Sequence, residues 1–259
     1  MVSGSKPYEI VCSRETLNAA FEVTLRRGSR PGADGIKCRN LLPHQQEYVS
    51  DLSTLLKKQA YVPGRSRIIK KNYKGKTINV HILCVRDLIV QRAVRMALSG
   101  LYTNDSPLFG SPVCLCRSLQ ECRRRTCLVA AMNWIARLDV KNFYSSIDLN
   151  RLFDELLRYT GDENIVDLVS TCLAGEDRCG LPIGHPLSTF LANIYLAPVD
   201  FAIGPEATGL AFRYSDEWNI TWERQEVLTE WANRLTQSCA IRGLQTHPLE
   251  MGQHFPNGG

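Results

Sequence analysis

The sequence predicts an α+β fold, and three observations carry that prediction. Two short β-prone runs flank Ser215-Asp216-Glu217. Leu210, Phe212 and Tyr214 before it, and Trp218, Ile220 and Trp222 after it, alternate with smaller or more polar residues, the period of half-buried strands. A second apolar run, Trp134-Ile135-Ala136-Arg137-Leu138-Asp139-Val140, reads as a buried strand ending at an acid. Around these strands lie segments whose apolar residues recur at helical spacing, as expected of helices packed by one face.

In chain order, Ser13 caps a first helix whose Leu17, Phe21 and Leu25 form one stripe and which stops at Gly28. Arg30-Pro31-Gly32-Ala33-Asp34-Gly35-Ile36 is a turn-rich loop, and residues 47–56 form an amphipathic segment suited to core packing. Two β-prone runs then carry Arg65, Arg67, Lys70, Lys71, Lys74 and Lys76, with Gly75 at their turn. That makes a cationic hairpin able to close over phosphates or, on the plainer view, a solvated charged hairpin. Residues 86–102 read as a mostly buried helix with Arg86, Arg92 and Arg95 at polar or nucleic-acid-facing positions. Arg123-Arg124-Arg125 offers non-specific attraction to phosphates, and equally a solvated helix face. Asp148 caps a helix whose Leu149, Leu152, Phe153, Leu156 and Leu157 are expected to pack under the sheet. Val227, Leu228, Trp231 and Leu235 make residues 223–241 helical, with Gly243 ending the helix.

Composition narrows the partners only a little. Among 259 residues, 31 Lys+Arg against 26 Asp+Glu give a formal charge of +5, which permits a polyanionic partner without demanding one. No apolar run is long enough to span a bilayer and Met1-Val2-Ser3-Gly4-Ser5-Lys6-Pro7 lacks a signal-peptide core, so a cytoplasmic protein without a membrane partner is expected. Ten cysteines then read as mostly free thiols, and the Cys114, Cys116, Cys122, Cys127 spacing matches no common zinc pattern.

The acids carry the chemistry. Asp216 and Glu217 sit together at a hairpin tip that lacks the glycine a tight turn prefers. Neighbouring carboxylates repel, so they stay ionised at low cost only with water or a hard divalent cation between them; a solvated acidic turn is the alternative. With Asp139 at a strand end, the three acids suit two-metal phosphoryl transfer.

These residues carry a resemblance. Asp139 to Ile147 resembles the first catalytic motif of bacterial reverse transcriptases, and Tyr214-Ser215-Asp216-Glu217 is similar to their Tyr-x-Asp-Asp motif with Glu for the last Asp. Gly180-Leu181-Pro182-Ile183-Gly184-His185-Pro186-Leu187-Ser188 resembles the Gly-x-Pro-x-Gly-x-x-x-Ser motif between them. Ser106-Pro107-Leu108-Phe109-Gly110, followed by Arg117, and the Gly-x-Asp-Gly-Ile form of residues 32–36 extend it across roughly residues 30–250 of the superfamily that includes group II intron, retron, diversity-generating and defence-associated enzymes.

The resemblance implies a right-hand polymerase: fingers, with an amino-terminal helical segment, over residues 1–134, and a catalytic palm over 135–259, an antiparallel sheet backed by helices, truncated before the thumb. It implies an RNA-directed DNA polymerase using Mg²⁺, or Mn²⁺, with an RNA template, a DNA or RNA primer, dNTPs and a thumb-bearing or accessory protein subunit as partners, in antiviral defence or a mobile element. Asp139, Asp216 and Glu217 would be catalytic, binding metal with the Val140 carbonyl. Lys71, Lys76, Tyr144 and Gly184 would meet the nucleotide, Tyr144 as the steric gate against a ribose 2′ hydroxyl. Arg65, Arg67, Arg123 and Arg124 would meet nucleic acid. Departures are Glu217 for Asp, Ile78 where many relatives have arginine, Ile183 for Gln, and Glu250 where a lysine belongs. They keep open a catalytically degenerate RNA- or protein-binding domain, and an RNA-templated RNA polymerase remains the third reading.

Overall fold

The computed structural model of the chain describes residues 6–28, 30–73, 75–99, 111–116, 118–130, 133–174 and 180–252. Lys74, the 106–110 segment, Arg117 and the last residues of the expected 86–102 helix lie outside them. Along the chain run α1 (Pro7–Cys12), α2 (Arg14–Arg27), α3 (Gln45–Lys57), β1 (Arg67–Tyr73), β2 (Lys76–Ile82), α4 (Val85–Ser99), β3 (Val113–Leu115), α5 (Leu119–Val129), β4 (Trp134–Asp139), α6 (Phe143–Ser146), α7 (Leu149–Thr160), α8 (Glu163–Leu173), α9 (Ser188–Asp200), β5 (Ala211–Tyr214), β6 (Glu217–Trp222), α10 (Gln225–Ile241) and β7 (Glu250–Gly252). The α+β expectation holds. Contacts divide the chain into two compact units, one from Met1–Thr103 and Leu149–Leu191, the other from Asn104–Asp148 and Ala192–Gly259.

Among the described residues, the first unit is helical apart from one hairpin. Its centre is α4, which buries Val85, Ile89, Val90, Ala93, Val94, Ala97 and Leu98 and is packed by α1, α2 and α8. The Ser13 hydroxyl accepts from the Thr16 amide at 3.1 Å, so α2 starts where its cap residue predicts. α7 takes its packing from α8. Ahead of the hairpin, the almost fully buried Asp87 accepts from the Tyr61 hydroxyl at 2.7 Å and the Gly64 amide at 3.0 Å. Arg86 Nη2 donates to the Val62 carbonyl at 2.7 Å. The root of the β1–β2 hairpin is therefore tied down while most of its side chains are exposed.

The second unit is built on a five-stranded sheet in the order β3-β5-β6-β4-β7. β3 runs parallel to β5; every other pair is antiparallel. Strand alternation divides the side chains into two faces. One carries Ala136, Leu138, Ala211, Arg213, Trp218 and Ile220, nearly all fully buried, and α10 packs on β4 and β6. The rings of Trp222 and Trp231 of α10 meet edge to face at 5.4 Å. The other face carries Ile135, Arg137, Asp139, Glu217 and Asn219, partly covered by α5. α10 ends as its sequence predicts: Gly243 takes φ +75°, its amide bonds to the Ala240 carbonyl, and the Leu244 amide reaches the Cys239 carbonyl. That is a Schellman close, which needs the left-handed conformation glycine adopts without strain.

Candidate active site

Asp139 ends β4 and Glu217 begins β6, and the antiparallel register sets the two directly opposite each other. Tyr214 pairs with Glu217, so Ser215 and Asp216 form a two-residue hairpin turn. Ser215 takes φ +56°, the left-handed position that such turns usually give to glycine and that costs a serine about 1–2 kcal/mol. Burial first, then the negative charges of Asp216 and Glu217, push Asp139 up to about 6, against His247 and the Val140 amide. Asp216 is also raised, chiefly by burial. The Glu217 carboxylate lies differently: its Oε1 accepts from Asn219 Nδ2 at 3.0 Å and sits 3.5 Å from Arg137 Nε.

Val140 follows Asp139 into an isolated bridge with Thr246, made by the Lys141 amide to the Gln245 carbonyl and the His247 amide to the Asp139 carbonyl, both at 2.7 Å. The Val140 carbonyl takes no part in that bridge. Hard oxygen donors that repel one another fit a divalent cation, and Asp139 and Asp216, with the Val140 carbonyl next to Asp139, are the residues that could hold one. Among the described residues, no three His, Cys, Asp or Glu side chains are gathered into a ready metal set.

Beneath the turn lies a buried network that the motif reading missed. Arg213 donates through Nε and Nη2 to Asp200 Oδ1 and Oδ2 at 2.9 and 2.7 Å, through Nη1 to Asn193 Oδ1 at 2.8 Å, and again to the Ser215 carbonyl at 2.6 Å. Trp218 Nε1 adds a bond to Asp200 Oδ1 at 2.8 Å. The forked guanidinium matches the carboxylate bidentately and still has a donor for the strained turn. The available signal was an arginine on the apolar face of a strand, with an acid ending the preceding helix.

The expected phosphate- and nucleotide-contacting residues of the first unit lie on or against the hairpin. Lys71 pairs with Ile78 and, by strand alternation, shares a face with Arg67 and Lys76, all three exposed. Arg65 is exposed just before β1. Gly184 has φ +105°, and the His81 amide donates to the Ile183 carbonyl at 2.8 Å, binding the glycine-rich loop to β2. A Cβ on Gly184 would stand 2.3 Å from the His81 carbonyl oxygen, so only glycine fits there. Ser188 Oγ donates to the Pro182 carbonyl at 2.5 Å, closing the loop on itself.

In the second unit, Tyr144 is half-buried on α6, its ring edge-on to buried Phe143 at 5.4 Å. Arg124 is exposed on α5, and Arg123 is half-buried there. α5 is capped by Ser118, which accepts from the Glu121 amide at 3.0 Å. Cys122 is buried, Cys114 and Cys116 are partly so, and Cys127 is exposed; every described cysteine is a free thiol. No helix among the described residues is long and apolar enough to cross a membrane.

The chain is similar to the yeast (Saccharomyces cerevisiae) putative COX1/OXI3 intron 1 protein, 30% identical in an alignment of 129 positions that covers 44% of this chain and 15% of that protein. In structure it is similar to apo telomerase from Candida tropicalis truncated from its C-terminal domain, with a TM-score of 0.55 and 14% identity over 80% of this chain and 55% of that one. It is also similar to apo telomerase from Candida tropicalis, with a TM-score of 0.53 and 11% identity over 79% and 49%. The chain thus spans a small part of its curated relative and about half of these structures. At such identities the likeness speaks for fold, and that fold is α+β, of fingers-and-palm type, with an antiparallel sheet backed by helices. The family model for reverse transcriptase (RNA-dependent DNA polymerase) matches residues 68–249, well over half of the sequence, and the chain belongs to that family.

Proposed function

We propose that the chain is the fingers and palm of an RNA-directed DNA polymerase that extends a primer 3′ hydroxyl with deoxynucleotides on an RNA template. The observation that carries this reading is the register that sets Asp139 opposite Glu217, beside the turn that carries Asp216, where burial first and then the charges of Asp216 and Glu217 raise Asp139 to about 6. A shared cation relieves the repulsion between neighbouring carboxylates. Asp139, Asp216 and the Val140 carbonyl would hold Mg²⁺ or Mn²⁺, with Glu217 in support. The bound ions would supply charge stabilisation to the attacking oxygen and the leaving pyrophosphate.

The remaining roles fall to this chain's own side chains. Lys71 and Lys76, on one face of the hairpin, attract the triphosphate, while Arg65, Arg67, Arg123 and Arg124 attract nucleic-acid phosphates without reading sequence. Gly184 lets the backbone of its loop approach the nucleotide closely, and the Tyr144 ring excludes a 2′ hydroxyl. The intron-protein relative supports an intron-encoded setting over a defence one. An accessory or thumb-bearing subunit would steady the primer and template.

The test is incorporation of labelled deoxynucleotides by the purified chain on a primed RNA template with Mg²⁺ or Mn²⁺, beside Asp216→Ala. Incorporation abolished by the substitution is expected. Incorporation that survives Asp216→Ala, or Asp139→Ala, refutes the assignment; preference for ribonucleotides would favour an RNA polymerase.

A further inference from the structure

Two of the departures in this chain, Glu217 and Glu250, meet at one residue. Arg137 precedes Asp139 by two positions on β4, so the two side chains share a face of the sheet. The register puts Asn219 opposite Arg137 on the β6 side and Glu250 opposite it on the β7 side. Glu217, opposite Asp139, reaches diagonally back towards this cation. Its Oε1 lies 3.5 Å from Arg137 Nε and accepts from Asn219 at 3.0 Å, while Arg137 Nη1 donates to Glu250 Oε2 at 3.3 Å. The Arg137 and Glu217 side chains are 20% and 18% exposed, so water and salt screen their attraction far less than that of a surface pair; Glu250, at 59%, is the more screened partner.

Side-chain length makes this possible. Diagonal neighbours across an antiparallel pair stand about 7–8 Å apart at Cα, a gap that long side chains bridge and short ones do not. Glutamate has the extra methylene that aspartate lacks, and arginine is long from the other side. The third acid is thereby tied to Arg137 and Asn219 on the face it shares with Asp139.

We propose that Arg137 is a positioning residue that withholds the Glu217 carboxylate from the metal set, leaving Asp139 and Asp216 as the resting carboxylate donors, and that Glu250 moderates this hold by sharing the same guanidinium. The proposal rests on the metal site assigned under the proposed function. It makes Arg137 a competitor of the cation for Glu217, so freeing Glu217 adds a donor and tightens metal binding.

The experiment is Mn²⁺ binding to the whole chain, read by the electron paramagnetic resonance signal of the free ion, with no nucleotide or polymerisation assay involved. Arg137→Gln is expected to bind Mn²⁺ about tenfold more tightly than the unaltered chain, the order of one added carboxylate–cation attraction in a partly screened site. Glu217→Asp, too short to reach Arg137, is expected to tighten binding in the same direction. Glu217→Gln, which keeps the length of the side chain and removes its charge, should abolish the gain when combined with Arg137→Gln, while Asp216→Ala should weaken binding throughout. Loss of a nearby positive charge alone would tighten binding in the Glu217→Gln background as well, so the gain abolished in the double variant is what identifies positioning. The proposal is overturned if Arg137→Gln leaves binding unchanged or weakens it, or if Glu217→Gln weakens binding as much as Asp216→Ala. If neither the unaltered chain nor any variant binds Mn²⁺, the metal site and the positioning role of Arg137 both fall. Failure to polymerise despite Mn²⁺ binding refutes only the polymerase reading.

Discussion

Removing the Asp200 carboxylate is expected to destabilise the second unit more than removing any of the motif acids. Asp200 accepts three hydrogen bonds, two from Arg213 and one from Trp218, and the Asp200 and Arg213 side chains are 2% and 0% exposed. Breaking a fully buried pair from one side strands the other charge, so Asp200→Ala should cost about 3–5 kcal/mol. Asp200→Asn keeps an acceptor and should cost less. The double replacement Asp200→Leu with Arg213→Met leaves no uncompensated charge, so it should cost less than either single loss, a coupling that a double-mutant cycle measures. Urea unfolding followed by circular dichroism at pH 7 reads all of these. A cost below about 1 kcal/mol for Asp200→Ala, or a double variant costing as much as the sum of the singles, would refute the view that this pair is the keystone under the turn. Because Arg213 Nη1 also donates to the Ser215 carbonyl, Asp200→Asn should also lower incorporation where the folded form still dominates.

Other outcomes follow from the same geometry. Asp139 has its pKa raised from 3.8 to about 6, so the folded chain binds this proton more tightly than the unfolded one; the group weakens the fold above pH 6, and the penalty fades as pH falls towards 4. Asp139→Asn, measured in EDTA, should therefore stabilise by about 1–2 kcal/mol at pH 7.5, the partial exposure of the side chain discounting the full shift, with the gain shrinking towards pH 4. An equal gain at both pH values would contradict this account. Gly184→Ala meets both the left-handed φ and the His81 carbonyl, and should destabilise the first unit by at least about 2 kcal/mol in thermal or urea unfolding; a neutral effect would mean that the loop is not fixed on β2. Tyr144→Ala should narrow the preference for deoxynucleotides over ribonucleotides in single-nucleotide incorporation, and an unchanged ratio would remove the ring from its proposed role.

Local chemistry was readable wherever the physics was local. The Ser13 hydroxyl caps α2, Gly243 closes α10, and the alternation around Asp216 gives β5 and β6 with a two-residue turn, all within a few residues of where the chain announces them. β3 was not readable, because three residues carry too little period and its parallel partner β5 lies about a hundred positions away. α8 was also overlooked, and α7 packs on α8 although its stripe suggested the sheet. An apolar stripe states that a face is buried without naming what covers it.

The site shows the same division at finer scale. Asp139 and Asp216 could be picked out as single residues because strand ends and turn tips put them in view. Arg213 and Asp200 could not be paired from sequence, since thirteen positions and a change of element separate them. Glu217 and Glu250, taken one at a time, looked like two independent departures. The β4 register joins them through Arg137, a residue that reads in sequence as an ordinary interruption of an apolar strand. A substitution's consequence is thus set less by which family residue it replaces than by which neighbour the new side chain is long enough to reach. One added methylene at position 217 brings a diagonal arginine within ion-pairing distance of the third acid, and an acid at position 250 then shares that arginine's charge.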